Sequence, residues 1–591
     1  MLNMATNVIF RNIANITPWR NRYMRGRGIF SIQDANLHHG DIRPFACPES
    51  LCEGVPAYRS LFSLPNCPCL GFTLHTTVVK GFCSDQYFLL SGGRLHQATS
   101  SELCRGESWL AGAPFCPEAP KAKAGCSGCD AQAVSYVITY VTRHAGIEVE
   151  SAPSPPSSPV AATGAIPNAT VSWAAAPPGY AIAATRLYRT ETNYAEPEAA
   201  SANDTEFVFV AEFSGGKART YRDNAPSSGT GGPLLTYSPM AFPAPWGLVD
   251  VARTEHGLIV ATSHEVYISE NGKPQFTWEN VISIDDNILA IVAVHDQIFV
   301  FTDNRPVVIS YTIRENELVA ERTVVERRLP LVSRASLSVW GDTIVFASTY
   351  GLYTWRVTRT SAGVSRSIDF ALKPLLSPEQ WLNINPRTVR GTCYEFGYIF
   401  TSDELACSLM LEFGEDGTDT IQETHIMPIT YIKPTAFALD QDGHIVYAQD
   451  NRVYRWDYRR LVCSPFDPFD HVRPVVCEQC STCPWSMKFY LDSEGKNHFT
   501  HMRIEWDERS APPLILSFHI HEFGREIEHS DNMEVVSSRG FGLPFTNVSY
   551  QSCYAHLRGS GIVYEIKVAT SAQELSYSSS SAVRGEGEEV E

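Results

Sequence analysis

The chain has 591 residues, of which 44% are apolar, and a formal net charge of −18. That length exceeds what one hydrophobic core supports and predicts several domains, while the apolar content excludes a disordered chain. The acidic balance repels phosphate backbones at long range, so a sequence-reading nucleic-acid binder is not expected; a wall past which DNA slides is compatible with it.

The first thirty residues carry Arg11, Arg20, Arg22, Arg25 and Arg27 with no apolar core between them, so no secretion signal is expected. No run of about 18 apolar residues predicts a membrane span. Synthesis in a reducing cytoplasm is the expectation. Residues 1–133 are rich in Gly, Pro and Cys, with short apolar runs at 72–79 and 87–90, and read as a loop-rich β domain. Val134-Ser-Tyr-Val-Ile-Thr-Tyr-Val141 is dense in β-branched and aromatic residues and reads as a strand. Ser151-Ala-Pro-Ser-Pro-Pro-Ser-Ser-Pro159 reads as a stiff linker, so 134–159 is expected to be a strand pair plus linker.

Residues 160–230 have the strand order of a fibronectin type III-like sandwich. Ala169-Thr-Val-Ser-Trp173 is its Trp-bearing strand, and Thr185-Arg-Leu-Tyr-Arg189, Phe207-Val-Phe-Val-Ala211 and Thr220-Tyr-Arg-Asp223 follow. Residues 231–460 repeat a unit: apolar strand, tight polar turn, apolar strand, short third strand. One copy is Ile288-Leu-Ala-Ile-Val-Ala-Val294, His295-Asp-Gln297, Ile298-Phe-Val-Phe301 and Val307-Val-Ile309; a late copy runs from Thr435 to Trp456. Short strands recurring every few dozen residues predict a β-propeller. The one helix candidate there is Pro378-Glu-Gln-Trp-Leu382. Residues 461–575 return to alternating strands, and the Ser- and Glu-rich 576–591 reads as a disordered tail. The expected fold class is therefore mainly β and multidomain: a β platform formed from both chain ends (1–133 and 461–575), a fibronectin type III-like insert and a β-propeller.

The sixteen cysteines are uneven, with nine from Cys47 to Cys129 and five from Cys463 to Cys553. Cys477-x-x-Cys480-x-x-Cys483 is a weak metal candidate, because closely spaced thiolates can share a tetrahedral ion, but no second pair stands at knuckle spacing. Disulfides and free thiols are the alternatives. No Walker loop, GxGxxG, HExxH or GxSxG occurs, so no catalytic residue, metal or cofactor is assigned. His519 and His521 share a strand face, which a metal could exploit but which a solvated polar face explains as well; His38 and His39 are the other close pair. Ser269-Glu-Asn-Gly272 with Thr277-Trp278 is a loose Asp-box turn, without the arginine triad a sialidase needs. Asp440-x-Asp442-Gly443 could begin a calcium loop, but Asn451 stands where the closing Glu belongs, which favours a plain turn.

Two stretches resemble a virion family. Ile32-Gln-Asp-Ala-Asn-Leu-His-His-Gly-Asp-Ile-Arg-Pro44 is similar to an early segment of tail proteins from short-tailed bacteriophages. Tyr136-Val-Ile-Thr-Tyr-Val141, with Glu150-Ser-Ala-Pro-Ser-Pro-Pro156, resembles a second such segment, though Ile147 and Val149 interrupt its usual Gly-Glu-Glu run. The order platform, insert, propeller, platform also resembles the tail nozzle, or tail tubular B-like, proteins. The resemblance implies a structural virion protein without catalytic residues. It would form a homo-oligomeric ring, most often a hexamer, below a tail adaptor, passing viral DNA without reading it and carrying fibre or tip proteins. The alternative reading is a carbohydrate-binding or glycoside-cleaving propeller with accessory modules.

Overall fold

In the computed structural model, the short β-branched and aromatic runs become antiparallel strands throughout. The structure describes residues 48–64, 67–125, 132–162, 167–190, 207–226, 242–269, 272–277, 280–314, 317–360, 363–371, 378–395, 397–412 and 425–458. It also describes 43–45 and the strand segments 6–9, 28–33, 35–36, 485–490, 498–507, 514–522, 525–529, 550–560, 563–570 and 583–588. The protein is mainly β, built of many small antiparallel sheets. No described helix is long and apolar enough to cross a membrane.

The chain divides into two compact units, Leu74–Leu331 and the pair Met1–Thr73 with Val332–Glu591. This division cuts both the 1–133 block and the 231–460 block expected from the sequence. Strand partnership is the reason. Within the first block, Glu49–Glu53 pairs with Arg452–Trp456, whereas Lys121–Ala124 pairs with Ala169–Trp173.

Unit 74–331 holds three four-stranded meanders. The first is Thr77–Lys80, Tyr87–Ser91, Arg94–Ala98 and Trp109–Leu110; the second runs from Asp250–Arg253 to Val281–Ser283; the third runs from Ile288–Val294 to Glu317–Val324. Alternate residues fill the space between adjacent sheets. Ile259, Ile268, Ile298 and Ile309 share one fully buried cluster, each contributing roughly 1.5–3 kcal/mol of transfer free energy. Asp250, itself fully buried, ties the three sheets together. Its carboxylate accepts the Thr77 hydroxyl at 2.8 Å from the first and the Ile291 N–H at 3.1 Å from the third.

The same unit contains a β-sandwich. Ile147–Glu150, Tyr136–His144, Ile182–Thr190 and Phe207–Ser214 form one sheet; Lys121–Ala124, Ala169–Trp173 and Arg219–Asp223 form the other. Tyr136, Ile138 and Leu187 meet Val171 and Trp173 across the core. The strands read from 169–223 fall in place, but the module begins earlier than 160. Residues 151–159 are not a linker. Ser151, Ser154 and Ser157 are buried, and their N–H groups donate to the carbonyls of Tyr140, Ile138 and Tyr136. The Pro-rich run thus lines the edge of Tyr136–His144 as a strand would. Proline removes donors at the positions between, and serine supplies hydroxyls at every third residue.

The other unit holds three further meanders. Two run from Ser338–Trp340 to Gly363–Phe370 and from Arg390–Tyr394 to His425–Ile429; the last consists of Ala436–Leu439, Ile445–Gln449 and Arg452–Trp456, with Glu49–Glu53 as its fourth strand. Pro378–Asn383 is helical, and its buried Trp381 donates to the Ser348 carbonyl at 2.9 Å. Early and late strands also pair in two more sheets. Thr6–Ile9 lies against Val583–Glu588, and Gly28–Gln33 lies against Trp485–Tyr490. The expected disordered tail therefore includes a strand with partners on both sides, Thr6–Ile9 and His498–Asp507. Backbone hydrogen bonds hold it there, and these do not depend on apolar side chains.

Candidate functional site

The three thiols Cys477, Cys480 and Cys483 lie outside the described residues, as do Cys126 and Cys129. Cys52 is disulfide-bonded, while Cys83, Cys104, Cys116 and Cys393 are free thiols. Burial pushes the Cys393 thiol up to about 12, which keeps it protonated and unreactive. His38 and His39 also fall outside the described residues. His519 and His521 lie on the strand Leu514–Glu522, in register with Glu565 and Val563. In the loose Asp-box segment, the Ser269 hydroxyl accepts the Leu258 N–H at 2.9 Å and so extends the pairing of Leu258–Ala261 with Glu265–Ile268; Glu270, Asn271 and Trp278 lie outside the described residues.

Asp440, Asp442 and His444 come together in the hairpin turn of the last meander. Gly443 takes φ +80°, the left-handed conformation this turn needs. One Asp440 oxygen accepts the N–H groups of Asp442 at 2.9 Å and His444 at 2.8 Å. The other accepts Arg455 Nε at 2.7 Å and lies 3.0 Å from His444 Nδ1. Arg455 Nη2 reaches Asp442 at 2.8 Å. Burial works against the Asp440 charge, yet the His444 N–H and imidazole, with Arg455, hold its carboxyl below the usual range. The cation in this cluster is the protein's own guanidinium, and Asp440 has no oxygen left for calcium, which takes six to eight oxygens. The cluster is a turn lock.

A second network lies on the sandwich. Arg186 reaches Glu150 at 2.6 Å, Glu148 at 2.7 Å and Glu212 at 2.8 Å, and Arg143 joins Glu148 at 2.7 Å and Glu212 at 3.0 Å. Burial opposes the Arg186 charge, but three carboxylates raise its pKa overall. Deeper in the module, Arg189 and Asp223 form a fully buried pair at 2.7 Å, and the Tyr136 hydroxyl donates to the same Asp223 oxygen at 2.9 Å. Both networks cross-link strands; Arg189 and Asp223 balance one to one, whereas two guanidiniums share three carboxylates in the first.

A third arrangement joins the sandwich to the first meander. Thr99 and Glu102 form a capping box on the short helix Ser100–Cys104. The Glu102 carboxylate also accepts Trp109 Nε1 at 3.1 Å and lies 2.9 Å from Nε2 of the buried His144. Burial raises its pKa, but the Thr99 N–H, His144 and Trp109 outweigh that and bring it down to about 2. Beside it, the Leu110 N–H donates to the Gly179 carbonyl at 2.8 Å.

Near that joint, four residues distant in sequence meet at the surface. The Arg94 guanidinium lies 4.3 Å from the centroid of the Trp246 ring. Phe115 stands edge-on to Trp246 at 6.2 Å and to Tyr180 at 6.0 Å. Trp246 is 63% exposed and Phe115 38%. Sequence reasoning missed this group, because its members are three isolated aromatics outside the strands and an arginine at the start of Arg94–Ala98, and no local period links them.

Fold and sites together define a mainly β protein of repeated small antiparallel sheets, whose clustered charges serve as strand cross-links. No family model matches the chain, and no curated protein does. Solved structures similar to it include the glutaminyl cyclase of Myxococcus xanthus (9% identity, 36% of this chain and 90% of that one, TM-score 0.20). Others are AztD of Citrobacter koseri (11% identity, 62% and 90%, TM-score 0.24) and the computationally designed Ika8 protein (9% identity, 49% and 92%, TM-score 0.23). Likenesses of this size carry no argument about fold or activity.

Proposed function

We propose that the chain is a structural virion protein, the tail nozzle of a short-tailed bacteriophage, assembling as a ring homo-oligomer around a channel for genome ejection. In this reading the four-stranded meanders are blades of a β-propeller, the sandwich is a fibronectin type III-like insert, and the sheets that join the two chain ends are the platform. The observation that carries the reading is the pairing of early with late strands in those sheets, Thr6–Ile9 with Val583–Glu588 and Gly28–Gln33 with Trp485–Tyr490, while Glu49–Glu53 completes the last meander beside Arg452–Trp456. A platform interrupted by an insert and a propeller requires that topology.

The chemistry of the clusters supports a structural role. The carboxylates of the Asp440 and Arg186 clusters are engaged by arginines of the same chain. The net charge of −18 suits a wall that must not hold DNA. A tail adaptor above the ring and fibre or tip proteins around it are the partners this reading requires.

Light scattering with negative-stain imaging of the purified full chain tests it. A particle of several hundred kilodaltons with a central hole and rotational symmetry is the expected result. A stable 65.5 kDa monomer at virion-like concentrations would overturn the assignment.

A further inference from the structure

Residues 147–162 run beside 132–144 along one edge, and their character changes in the middle. Ile147–Glu150 pairs with 141–144 and Val160–Ala162 pairs with Gln132–Val134, both as ordinary antiparallel strands. Between them Ser151, Ser154 and Ser157 face Tyr140, Ile138 and Tyr136, and Val160 then faces Val134. Three residues of the run thus span two of the strand, where paired strands match residue for residue. All six edge groups of Tyr136, Ile138 and Tyr140 are still satisfied. Each serine gives its N–H to a strand carbonyl and takes a strand N–H on its hydroxyl, at 2.8–3.0 Å.

The outer side of the run offers little to a further strand. Pro153, Pro155, Pro156 and Pro159 have no N–H, and the three serines spend theirs inward, so within 151–159 only Ala152 and Ser158 keep a donor. Three carbonyls are already engaged. Those of Ala152 and Ser158 accept the hydroxyls of Ser151 and Ser157 at 2.9 and 3.1 Å, and that of Pro153 accepts the Cys116 thiol at 2.9 Å. Pro155, Pro156, Ser158 and Pro159 are exposed. The strand beneath is one that needs covering. Tyr136-Val-Ile-Thr-Tyr-Val141 is wholly β-branched or aromatic, with no charge, proline or glycine, which is the composition of segments that stack edge to edge. An open edge on such a strand is a template for pairing with another chain.

From this we propose that residues 151–159 are an edge guard: they satisfy Tyr136–His144 as a strand would and also end the sheet, so that this strand does not pair with the same strand of a second copy. The inference does not rest on the virion reading. A regular strand in this place would satisfy the same six groups but would pass on a new open edge. The three-for-two run passes on none, because its spacing matches no strand and its prolines lack donors.

The test compares the full-length wild type with a variant carrying Ser151→Ala, Ser154→Ala and Ser157→Ala together. Light scattering over about a hundredfold range of concentration gives particle mass, and residue-resolved hydrogen exchange gives the state of the edge. In dilute variant the amides of Tyr136, Ile138 and Tyr140 should exchange about tenfold faster or more than in the wild type. As concentration rises the variant should grow past the wild-type particle mass, and the same three amides should regain protection in the grown species. The amides of Val137 and Thr139 alternate to the other side, toward Ile182–Thr190, and should stay protected throughout. Fast exchange at the three edge amides with no growth at any concentration would overturn the proposal, since the open edge would then attract nothing. Growth without their re-protection places the contact elsewhere and overturns it too, as does exchange unchanged from the wild type. Loss of protection at Val137 and Thr139 would mark the triple variant as unfolded; Ser154→Ala alone, lacking one of the three acceptors, is then judged by the same criteria. Ring formation is read separately, from the mass of the wild type.

Discussion

Ser154 and Ile138 exchange two hydrogen bonds. The Ile138 N–H donates to the Ser154 hydroxyl at 3.0 Å, and the Ser154 N–H donates to the Ile138 carbonyl at 2.9 Å. Ser151 makes the same exchange with Tyr140, and Ser157 makes it with Tyr136. Three serines spaced by three thus satisfy the free edge of a buried strand that would otherwise need a partner strand.

Each of these serine hydroxyls accepts from a buried backbone N–H. Ser154→Ala leaves the Ile138 donor without its acceptor, at a cost of about 1–3 kcal/mol. Chemical denaturation should show a lowered midpoint for each single variant and a larger loss for the triple variant. A change below about 0.5 kcal/mol, typical of exposed positions, would mean that the segment is a surface linker after all.

Asp250 accepts from the first and third meanders of its unit. Asp250→Ala leaves a half-buried hydroxyl and a buried N–H unpaired, and should cost about 2–3 kcal/mol. Thr77→Ala removes one partner only and should cost about 1 kcal/mol. Denaturant titration of the two variants checks the ratio.

The Glu102 carboxyl sits at about 2 in the folded chain, below its ordinary value of 4.5. A depressed folded pKa gives stability that is present above the unfolded value and is lost as pH falls toward the folded one. The stability gap between wild type and Glu102→Gln should therefore be full above pH 4.5 and close as pH approaches 2. Paired denaturation curves across that window measure it; a gap independent of pH would exclude the linkage.

Arg455 serves as the cation of the Asp440 turn. The wild-type melting temperature should not move with millimolar calcium or with a chelator, as far as this turn is concerned. Arg455→Ala should lower stability by about 1–2 kcal/mol, because it strips a mostly buried carboxylate of its charge partner. Calcium-dependent stabilisation of the wild type, abolished in Asp440→Asn, would reverse the assignment.

The sandwich extends from Lys121 to Asp223, so excision of 160–226 removes the partners of Tyr136–His144. Tyr136, Ile138 and Leu187 share one buried core, and half a core exposes apolar surface. That deletion should yield insoluble protein, whereas a cut made outside both limits of the module should be tolerated better. Solubility of the two deletion chains decides between them.

Much of the architecture was legible in the chain. The β-branched alternation located the strands, and the repeated strand–turn–strand unit located four of the five meanders from 250 onward, but not the one from Arg390–Tyr394 to His425–Ile429. The Trp-bearing strand at 169–173 and the short helix at 378 also stand where the sequence puts them. These are local properties, since side-chain period and turn chemistry are written in neighbouring residues. The meander at 77–110 was less legible, because its strands are short and its turns are mixed with cysteines.

Strand partnership was decided only in three dimensions. Glu49–Glu53 completes a sheet whose other strands lie some four hundred residues later, and Val583–Glu588 is a strand although its composition is that of a disordered tail. Backbone hydrogen bonds carry no sequence label, so the identity of a partner comes from the whole fold and not from the strand itself. The same holds for Arg94, Phe115, Tyr180 and Trp246. Their residue types were visible from the start, but their meeting depends on how four separate segments pack, and that information resides in the tertiary structure alone.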